Sequence, residues 1–520
     1  MSDSRILDSK IILYPTRIVI EGYHERISRI ENRLSVWNPV THSYTFQAFI
    51  KDENKQRLIM PQCMNINFLQ SLLPGAEIED KRPFIDKSLK KLSQLNDIHM
   101  NYNCRDKIQE ESVKYLNDTY KYRRQRYRYM QRFLCLKTGE GKTFCTVKTI
   151  ADNGDRPIIF VDQEALGLQW IERIQEYTDT KKEEIFYISG APSIKKLMKK
   201  TEMEIMNIKF FICCYRTLTT NIKNTGSSND IVKLLNKIRV NLKVYDEAHV
   251  EYTSIFKIDM IHNARSIYLS ATPMRSSKEE DEVYQNMFSM VPKFFSWMVE
   301  NEDDEDEEED ENYHNIIAYN YNSNPKLIDQ IDCKTKYGFS MARYCNYILN
   351  NKYEKFFRVV TDVLFNIVLK NRRKKKTAIL LGSNALIDKF AKDLISYNES
   401  KGYKLKVGIF NGTVKKDDKK EILDSSDIII TTDKSFGKGI DVKNLLRVIN
   451  TVPFSSETKL IQVIGRLRKI PNKEVIFIDI NDIGFESIKY QLRNKKQKVY
   501  NVIGKTFCET KHKNSEEDYE

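Results

Sequence analysis

The chain has 520 residues, which is too long for one hydrophobic core and suits about three domains. Hydrophobic residues make up 41% of it and charged residues 30%, a balance typical of water-soluble globular proteins. The sequence has no run of about 18 apolar residues and its first residues are polar, so we expect neither a membrane segment nor a secretory signal.

The net charge and the cysteine content limit which kinds of binding partner and which cellular compartment we expect. Lysine and arginine number 85 against 72 acidic residues, giving a net charge of +13 although ten acidic residues stand together at 302–311. A basic body favours a polyanionic partner; good solubility alone is the alternative. The nine cysteines include no C-x-x-C pair, so we expect reduced thiols in a cytosol-like compartment and neither a zinc site nor a disulfide framework.

Residues 1–95 predict a small α+β accessory domain. The stretch 10–20 is rich in β-branched apolar residues, and 44–50 alternates before a polar turn and a short run at 58–60, which indicates a hairpin. The basic side chains of this domain either contact nucleic acid or form a solvent-facing surface; they include Arg17, Arg26, Arg29 and Arg33.

A helical pattern begins near residue 101, carries Gln109, and ends in a basic, tyrosine-rich run at 121–129. Interleaved arginine and tyrosine suit contact with a phosphate backbone and stacked bases. A charged, exposed helix end is the alternative.

Residues 136–143 predict a phosphate-binding loop between a short strand and a helix. Glycines let such a loop bend so that backbone N–H groups face phosphate oxygens. We expect Lys142 to meet the β and γ phosphates of ATP and Thr143 to bind Mg²⁺. Leu136 stands where the usual pattern has its first glycine, so an ordinary glycine-rich turn is the alternative. The residues predicted to contact nucleotide here are Thr138, Gly139, Glu140, Gly141, Lys142 and Thr143.

Short apolar runs that end in polar motifs predict two parallel sheets. In such sheets the carboxyl ends of the strands line one crevice, where ligands bind. We expect an ATP-binding domain at 96–290, an insert or linker with the acidic run at 291–354, a second domain at 355–510 and a polar tail at 511–520. The predicted strands are 133–136, 157–161, 210–214, 242–245 and 266–269, then 378–381, 406–410, 428–431, 448–451 and 475–478.

The sequence Asp246-Glu247-Ala248-His249 follows one of these strands, about a hundred residues after Lys142. Nucleotide hydrolysis needs one carboxylate to hold magnesium and another to orient the attacking water. Asp246 and Glu247 suit these two roles.

With these motifs in this order, the chain resembles the DExH (DEAH) helicases and translocases of superfamily 2 over about residues 101–483. The resemblance implies two tandem RecA-like domains, ATP and Mg²⁺ as cofactors, and a coupling role for residues 270–272. It also implies nucleic-acid contacts for Gln169, Trp170, Tyr215, Arg216, Gly412, Thr413, Thr431 and Thr432.

The same resemblance assigns further residues to ATP. Gln109 is similar to an adenine-reading glutamine, with a plain helix-surface glutamine as the alternative. Arg466 resembles an arginine finger, and the second arginine of that motif is replaced by Lys469 or displaced to Arg468. The other residues implied at the nucleotide or in catalysis are His249, Gly439, Asp441 and Gln462.

Within the superfamily, the segments 166–170, 188–190 and 438–445 look most like DNA-directed members, namely phage recombination and branch-migration helicases, repair translocases and restriction motors. We therefore expect an ATP- and Mg²⁺-dependent motor on branched or duplex DNA in replication, recombination or repair, working with proteins of those processes in a bacterial or phage-infected cytoplasm. An RNA-directed helicase or transcript-release ATPase, a restriction-system motor and a non-catalytic DNA-binding scaffold are the alternatives.

Overall fold

The computed structural model describes most of the chain, in ranges that leave out several predicted features. The acidic run, the tyrosine-rich run 121–129, Thr413, Gly439 and Asp441 lie outside these ranges. The described residues are 9–22, 27–38, 41–82, 96–117, 131–275, 277–299, 312–323, 333–335, 338–369, 376–412, 414, 416–437, 442–470 and 473–512.

The chain divides into two compact units, Met1–Asn301 and Glu302–Glu520. No helix in the described ranges combines the length and the apolar character needed to cross a membrane.

The N-terminal part of the first unit is an α+β region, as predicted. It contains strands β1 Lys10–Leu13, β2 Arg17–Glu21, β3 Ser35–Asn38, β4 Ser43–Gln47, β5 Ile50–Asp52, β6 Arg57–Pro61 and β7 Glu77–Asp80, with helices α1 Ile27–Arg33 and α2 Ile66–Leu72. Five strands form a sheet in the order β5-β6-β2-β1-β7, in which only β1 and β7 are parallel. The expected hairpin forms between β5 and β6, whereas β4 pairs with β3 instead.

This region packs directly on the rest of the first unit. Phe46 meets Tyr252 and Phe256 edge to face, at ring-centroid distances of 5.3 and 5.8 Å. The backbone N–H of Met290 donates to the carbonyl oxygen of Cys63 at 3.0 Å. One hydrophobic cluster includes residues from both parts, so they share a core.

The remainder of the first unit is a parallel seven-stranded sheet in the order β10-β11-β9-β12-β13-β8-β14. Its strands are β8 Gln131–Cys135, β9 Pro157–Val161, β10 Ile185–Ile188, β11 Phe210–Cys214, β12 Leu242–Tyr245, β13 Arg265–Ser270 and β14 Lys293–Phe295. Its helices are α3 Lys107–Asn117, α4 Lys142–Asn153, α5 Glu164–Tyr177, α6 Gly190–Lys199, α7 Glu202–Met206, α8 Tyr215–Thr225, α9 Asn229–Lys237, α10 Tyr252–Asp259 and α11 Lys278–Met287, with 3₁₀ turns at Lys182–Glu184 and Ser296–Met298.

The second unit contains a second parallel seven-stranded sheet, in the order β19-β20-β18-β21-β22-β15-β23. The strands are β15 His314–Tyr321, β16 Lys334–Thr335, β17 Gly338–Phe339, β18 Thr377–Leu381, β19 Val407–Phe410, β20 Ile428–Thr432, β21 Arg447–Asn450, β22 Val475–Asp482 and β23 Gly504–Lys511. The helices are α12 Met341–Tyr347, α13 Tyr353–Asp362, α14 Asn384–Ser400, α15 Lys416–Ser425, α16 Asp433–Gly437, α17 Glu457–Ile464, α18 Glu486–Lys495 and α19 Asn501–Ile503, with π-helical stretches at Ile348–Lys352, Val363–Val368 and Lys496–Tyr500.

Strand β15 lies inside the segment that was predicted as an insert or linker. It runs parallel between β22 and β23, and Ile316 and Ala318 on it are fully buried. The middle of β15 is a short apolar run, Ile316-Ile317-Ala318-Tyr319, which is compatible with a buried strand, but the adjacent acidic run favours a solvated segment. The core of the second sheet therefore begins well before residue 355.

Both sheets have the properties that the apolar runs predicted. Every residue of β8 and β9 is buried, as expected for parallel strands covered on both faces by helices. The polar motifs of the first unit therefore meet at one edge of its sheet, at the carboxyl ends of β8, β9, β11, β12 and β13.

Candidate nucleotide-binding site

The predicted phosphate loop connects the buried strand β8 to helix α4. Gly139 and Gly141 have φ values of +96° and +98°, which side-chain-bearing residues rarely adopt. Gly141 is also the residue at the N-terminus of α4, and a Cβ there would lie 2.3 Å from Nε2 of Gln109. Both glycines are therefore required by the shape of the loop.

Leu136, at the position of the missing glycine, is fully buried in the hydrophobic core. Its backbone is not in the left-handed region, so the loop does not need a glycine there. The carbonyl oxygen of Leu136 instead accepts a hydrogen bond from Nζ of Lys142 at 2.8 Å, and that of Lys137 accepts another at 3.3 Å. The lysine ammonium group is thus held across the loop.

Gln109 lies against this loop, although it was also consistent with a plain surface position on α3. Its side chain is buried, Nε2 donates to the carbonyl oxygen of Glu140 at 3.4 Å, and Oε1 accepts from the backbone N–H of Arg105 at 3.0 Å. The surface alternative is therefore wrong. Contact with adenine stays a prediction.

Asp246 follows β12 and is fixed through both its main chain and its side chain. Its N–H donates to the carbonyl oxygen of Phe160 at 3.0 Å, and its own carbonyl accepts from the hydroxyl of Tyr215 at 3.1 Å. Nε1 of Trp170 donates to Oδ2 at 2.9 Å, and the N–H of Glu247 donates to Oδ1 at 3.1 Å.

Electrostatics link Asp246 to the phosphate loop. Burial, and after it the negative charge of Glu247, raise the pKa of Asp246, which is about 6 when all its neighbours are included. The indole N–H of Trp170 and the positive charge of Lys142 act in the opposite direction on this pKa. Lys142 also lowers the pKa of His249, so the loop lysine and the DExH carboxylates share one electrostatic environment.

Glu247 has two unusual features. Its φ of +48° places a glutamate in the left-handed region, where few non-glycine residues occur. Its Oε2 is buried and has no hydrogen-bond partner among the described residues; Nδ1 of His249 lies 3.4 Å away without forming a hydrogen bond. A buried carboxylate oxygen without a donor suits a residue whose partner is a water or a ligand.

His249 connects the DExH segment to the Ser270-Ala271-Thr272 motif. Its Nδ1 lies 2.8 Å from Oγ of Ser270, which also accepts the backbone N–H of Thr272 at 3.0 Å. Burial, together with the charges of Arg275 and Lys142, lowers the pKa of His249 to about 4, so the ring is neutral at pH 7. The ends of β12 and β13 are thus joined by hydrogen bonds.

Arg275 is a residue of this site that sequence reasoning missed. Its Nη1 donates to the carbonyl oxygen of His249 at 2.9 Å, its guanidinium pairs with Glu280, and it lies 5.3 Å from the ring centroid of Tyr252. No motif marks it, because its partners are a main-chain carbonyl and residues from two other helices.

The residues present fit Mg²⁺ with ATP. Magnesium is usually held by one or two carboxylates together with phosphate oxygens and waters, and among the described residues no group of three or more His, Cys, Asp or Glu side chains forms a metal cage. Asp246 supplies a carboxylate at the carboxyl end of β12. The phosphate loop, which is followed by Thr143, starts at the same edge of the sheet, at the carboxyl end of β8. Gly139 leaves open space beside the loop, since nothing lies within 4 Å of a Cβ placed on it.

Three predicted nucleic-acid contacts are contradicted by their burial. Trp170 is 2% exposed and Tyr215 and Thr431 are 0% exposed. The first two side chains bind Asp246 inside the unit, and Thr431 lies in the buried end of β20. These positions match the sequence motifs, but their side chains face the interior.

The other predicted contacts lie closer to solvent. Arg216 and Gly412 are exposed and Gln169 is half-buried. Thr432 is half-buried, and its Oγ1 accepts the N–H of Ser435 at the start of α16. Their contact with nucleic acid stays a prediction.

The arginine-finger segment surrounds the end of α17 in the second unit. Gln462 and Arg466 are half-buried, whereas Arg468 and Lys469 are exposed. The backbone N–H of Arg466 donates to the carbonyl oxygen of Val463 at 3.2 Å in the turn that ends the helix. Participation of these residues in hydrolysis stays a prediction.

Two known family models match segments of the chain that contain most strands of the two seven-stranded sheets. A family model described as the res subunit of type III restriction enzymes matches residues 102–275, and a model of the helicase conserved C-terminal domain matches residues 357–470. Together these segments are more than half of the chain. Curated proteins, by contrast, include no significant match.

Three of the solved structures that match this chain are the following. A structure of Mss116p bound to ssRNA and AMP-PNP is 16% identical, with 79% of this chain and 78% of that chain covered and a TM-score of 0.51. S. cerevisiae Dbp5 bound to RNA and ADP BeF3 is 14% identical, with coverages of 78% and 89% and a TM-score of 0.48. The helicase domain of Pyrococcus furiosus Hef is 14% identical, with coverages of 74% and 97% and a TM-score of 0.41. At 16% identity and a TM-score of 0.51, the likeness to Mss116p shows the fold alone.

Proposed function

The chain belongs to the superfamily 2 helicases and is a nucleic-acid-dependent ATPase, and from this premise we propose that it is a DNA helicase or translocase acting on branched or duplex DNA. Replication, recombination or repair are the processes we propose for it, within the DEAH group of the superfamily. The restriction-type family model supports DNA over RNA, because restriction enzymes act on DNA.

The observation that carries the ATPase site is the meeting of two separate motifs at one sheet edge. The phosphate loop follows β8 and the DExH segment follows β12, and only β13 lies between these two strands in the sheet; the charge of Lys142 also lowers the pKa values of Asp246 and His249. A loop that binds phosphates and a carboxylate that binds magnesium are therefore close enough to act on one Mg·ATP.

The chain's own residues have distinct tasks in this proposal. Bound Mg·ATP supplies the phosphoanhydride bond that is cleaved and the metal charge that screens its phosphates. The loop N–H groups and Lys142 would bind and orient the phosphates, and Thr143 and Asp246 would hold the metal. The free Oε2 of Glu247 orients and polarises the attacking water. Neutral His249 ties this segment to Ser270.

We propose Arg466 as the arginine finger of the second unit, with Arg468 or Lys469 in the supporting position. Such an arginine stabilises the charge of the transferring phosphoryl group. Lysine lacks the bidentate fork of arginine, so Arg468 is the better second candidate.

RNA is the second candidate substrate, because the similar structure of Mss116p was solved with ssRNA and AMP-PNP. One fold can serve either nucleic acid.

Steady-state ATP hydrolysis tests the proposal directly. Wild type is compared with Lys142→Ala without nucleic acid and with single-stranded, duplex or forked DNA, or RNA. We expect the strongest stimulation by forked or duplex DNA and loss of hydrolysis in Lys142→Ala. Stimulation by RNA alone would assign the second candidate, and wild-type turnover in Lys142→Ala would refute the phosphate-loop assignment. In the same assay, unchanged turnover in Arg466→Ala would refute the finger.

A further inference from the structure

We propose that Trp170 is a positioning residue that holds the Asp246 carboxylate in the orientation that binds Mg²⁺. The inference rests on the proposed function, because it adds a residue to the same ATP site. It replaces the expected role of Trp170 in nucleic-acid contact with a role inside the motor.

The side chain of Asp246 is held by one donor on each oxygen. The backbone N–H of Glu247 donates to Oδ1 at 3.1 Å and the indole N–H of Trp170 donates to Oδ2 at 2.9 Å. An indole nitrogen is a donor only, so it binds an acceptor oxygen and does not compete for the metal. Each carboxylate oxygen keeps a further lone pair for a metal ion or a metal-bound water.

The main chain of Asp246 is fixed independently of its side chain. Its N–H donates to the carbonyl oxygen of Phe160 on β9, and its carbonyl oxygen accepts from the hydroxyl of Tyr215 at the start of α8. Strands β11, β9 and β12 are neighbours in the sheet. With the main chain held, rotation about the side-chain bonds is the freedom left to the carboxylate, and the indole bond removes it.

Trp170 is itself immobile. Its side chain is 2% exposed and belongs to a hydrophobic cluster with Leu136 at the base of the phosphate loop and Phe144 in the first turns of α4. The position of the indole ring is therefore fixed when the protein folds, so the Asp246 carboxylate is already oriented before a metal ion binds. Trp170 and the residues that flank the phosphate loop therefore pack in one hydrophobic cluster.

Trp170→Phe is the informative variant, because it keeps an aromatic ring and removes the N–H donor. The measurement is the Mg²⁺ dependence of hydrolysis at saturating ATP and nucleic acid, with thermal unfolding as the check of folding. Since a hydrogen bond to a charged group is lost, we expect the Mg²⁺ midpoint to rise about ten-fold, with a smaller change in kcat at saturating Mg²⁺. Trp297→Phe is the matched control, because this tryptophan is 73% exposed; its midpoint should equal that of wild type.

A spectroscopic measurement tests the same point without turnover. The chain has three tryptophans, so the double variant Trp37→Phe/Trp297→Phe leaves Trp170 as the only one. Its fluorescence is followed while Mg²⁺ is added to the protein saturated with AMP-PNP. We expect the emission to change, with a midpoint matching that of the Mg²⁺ dependence of hydrolysis.

The outcomes separate this inference from the function on which it rests. A folded Trp170→Phe with the wild-type Mg²⁺ midpoint would overturn the positioning role. If that variant does not fold, an emission that fails to respond to Mg²⁺ in the double variant would overturn it. Full hydrolysis by Lys142→Ala would instead overturn the ATP site as a whole.

Discussion

Glu247 combines a strained backbone with an unsatisfied side chain. A φ of +48° costs a residue with a Cβ on the order of 1 kcal/mol, and its Oε2 is buried without a hydrogen-bond partner among the described residues. Such costs persist where the surrounding structure imposes them, most often at functional sites. Here the strained residue lies between β12 and His249, and its buried carboxylate oxygen accepts no hydrogen bond from a described residue.

Glu247→Gln tests whether that oxygen acts on water. The amide keeps the size of the side chain but is a poor base, so we expect nucleotide binding to persist while kcat falls by roughly 10²-fold or more. Nucleotide affinity is measured by titration with a fluorescent ATP analogue, and kcat by steady-state hydrolysis. Loss of binding in this variant would contradict a role limited to water.

Gly141→Ala tests the shape of the phosphate loop. The new Cβ would lie 2.3 Å from Nε2 of Gln109 in a backbone with φ of +98°, so we expect nucleotide binding to be lost. Gly402→Ala is the control, because Gly402 has φ of +67° with open space around its Cβ. The control should lower stability by about 1 kcal/mol through backbone strain alone and leave nucleotide binding unchanged. Equal binding by both variants would show that the loop tolerates a side chain.

At the scale of elements, the buried parallel strands were the most predictable part of the chain. Strands β9 and β11 were predicted with their observed bounds, because five consecutive apolar residues between polar segments have few alternatives. Motif spacing also predicted that Lys142 and Asp246 lie close to strand ends, and they follow β8 and β12; their roles stay predictions. It did not give the side-chain direction of Trp170. A motif specifies only which residue types occur, whereas successive side chains on a helix point about 100° apart, so neighbouring motif residues can face either solvent or the core.

The strand β15 was missed for a different reason. Its sheet partners are separated from it by most of the second unit, so local sequence carries no trace of the pairing. The neighbouring acidic residues favour a solvated segment instead. Pairing between distant strands is a tertiary property, and only their shared burial reveals it.

Ile316→Ala tests whether β15 is part of the core. Ile316 is 0% exposed, and truncating a buried isoleucine typically costs about 2–5 kcal/mol. We expect unfolding in urea at a lower concentration than wild type. Cys508→Ala on the neighbouring strand β23 is the control, since Cys508 is exposed and should change little. A wild-type urea midpoint for Ile316→Ala would place β15 outside the stabilising core.

At the scale of the whole molecule, the net charge of +13 means that nucleic-acid binding is best tested by measuring how the affinity depends on salt concentration. Phosphate contacts release counterions, so log affinity should fall linearly with log salt concentration. Arg216→Ala should reduce that slope by about 1 if its exposed side chain binds a phosphate. Lys223→Ala on the same helix removes the same charge two turns away and is the matched control. A slope near zero for wild-type DNA binding, measured by fluorescence anisotropy, would exclude a mainly electrostatic interaction.

The position of β15 also limits the order in which the parts of this protein can fold during synthesis. On the ribosome the strand at 314–321 emerges early, but its partners begin only at residues 475 and 504. Until then its edges lack their native neighbours, and pairing across so long a chain segment is slow. The first unit, complete by residue 301, can fold before the last strand of the second unit has been synthesised.

The ten acidic residues at 302–311 directly precede the segment that contains β15 in the sequence, and charge beside an unpaired strand is a common protection against aggregation. We expect nascent chains that stop before residue 475 to aggregate more readily when those acids are replaced by serine, and equal solubility of the two forms would contradict this.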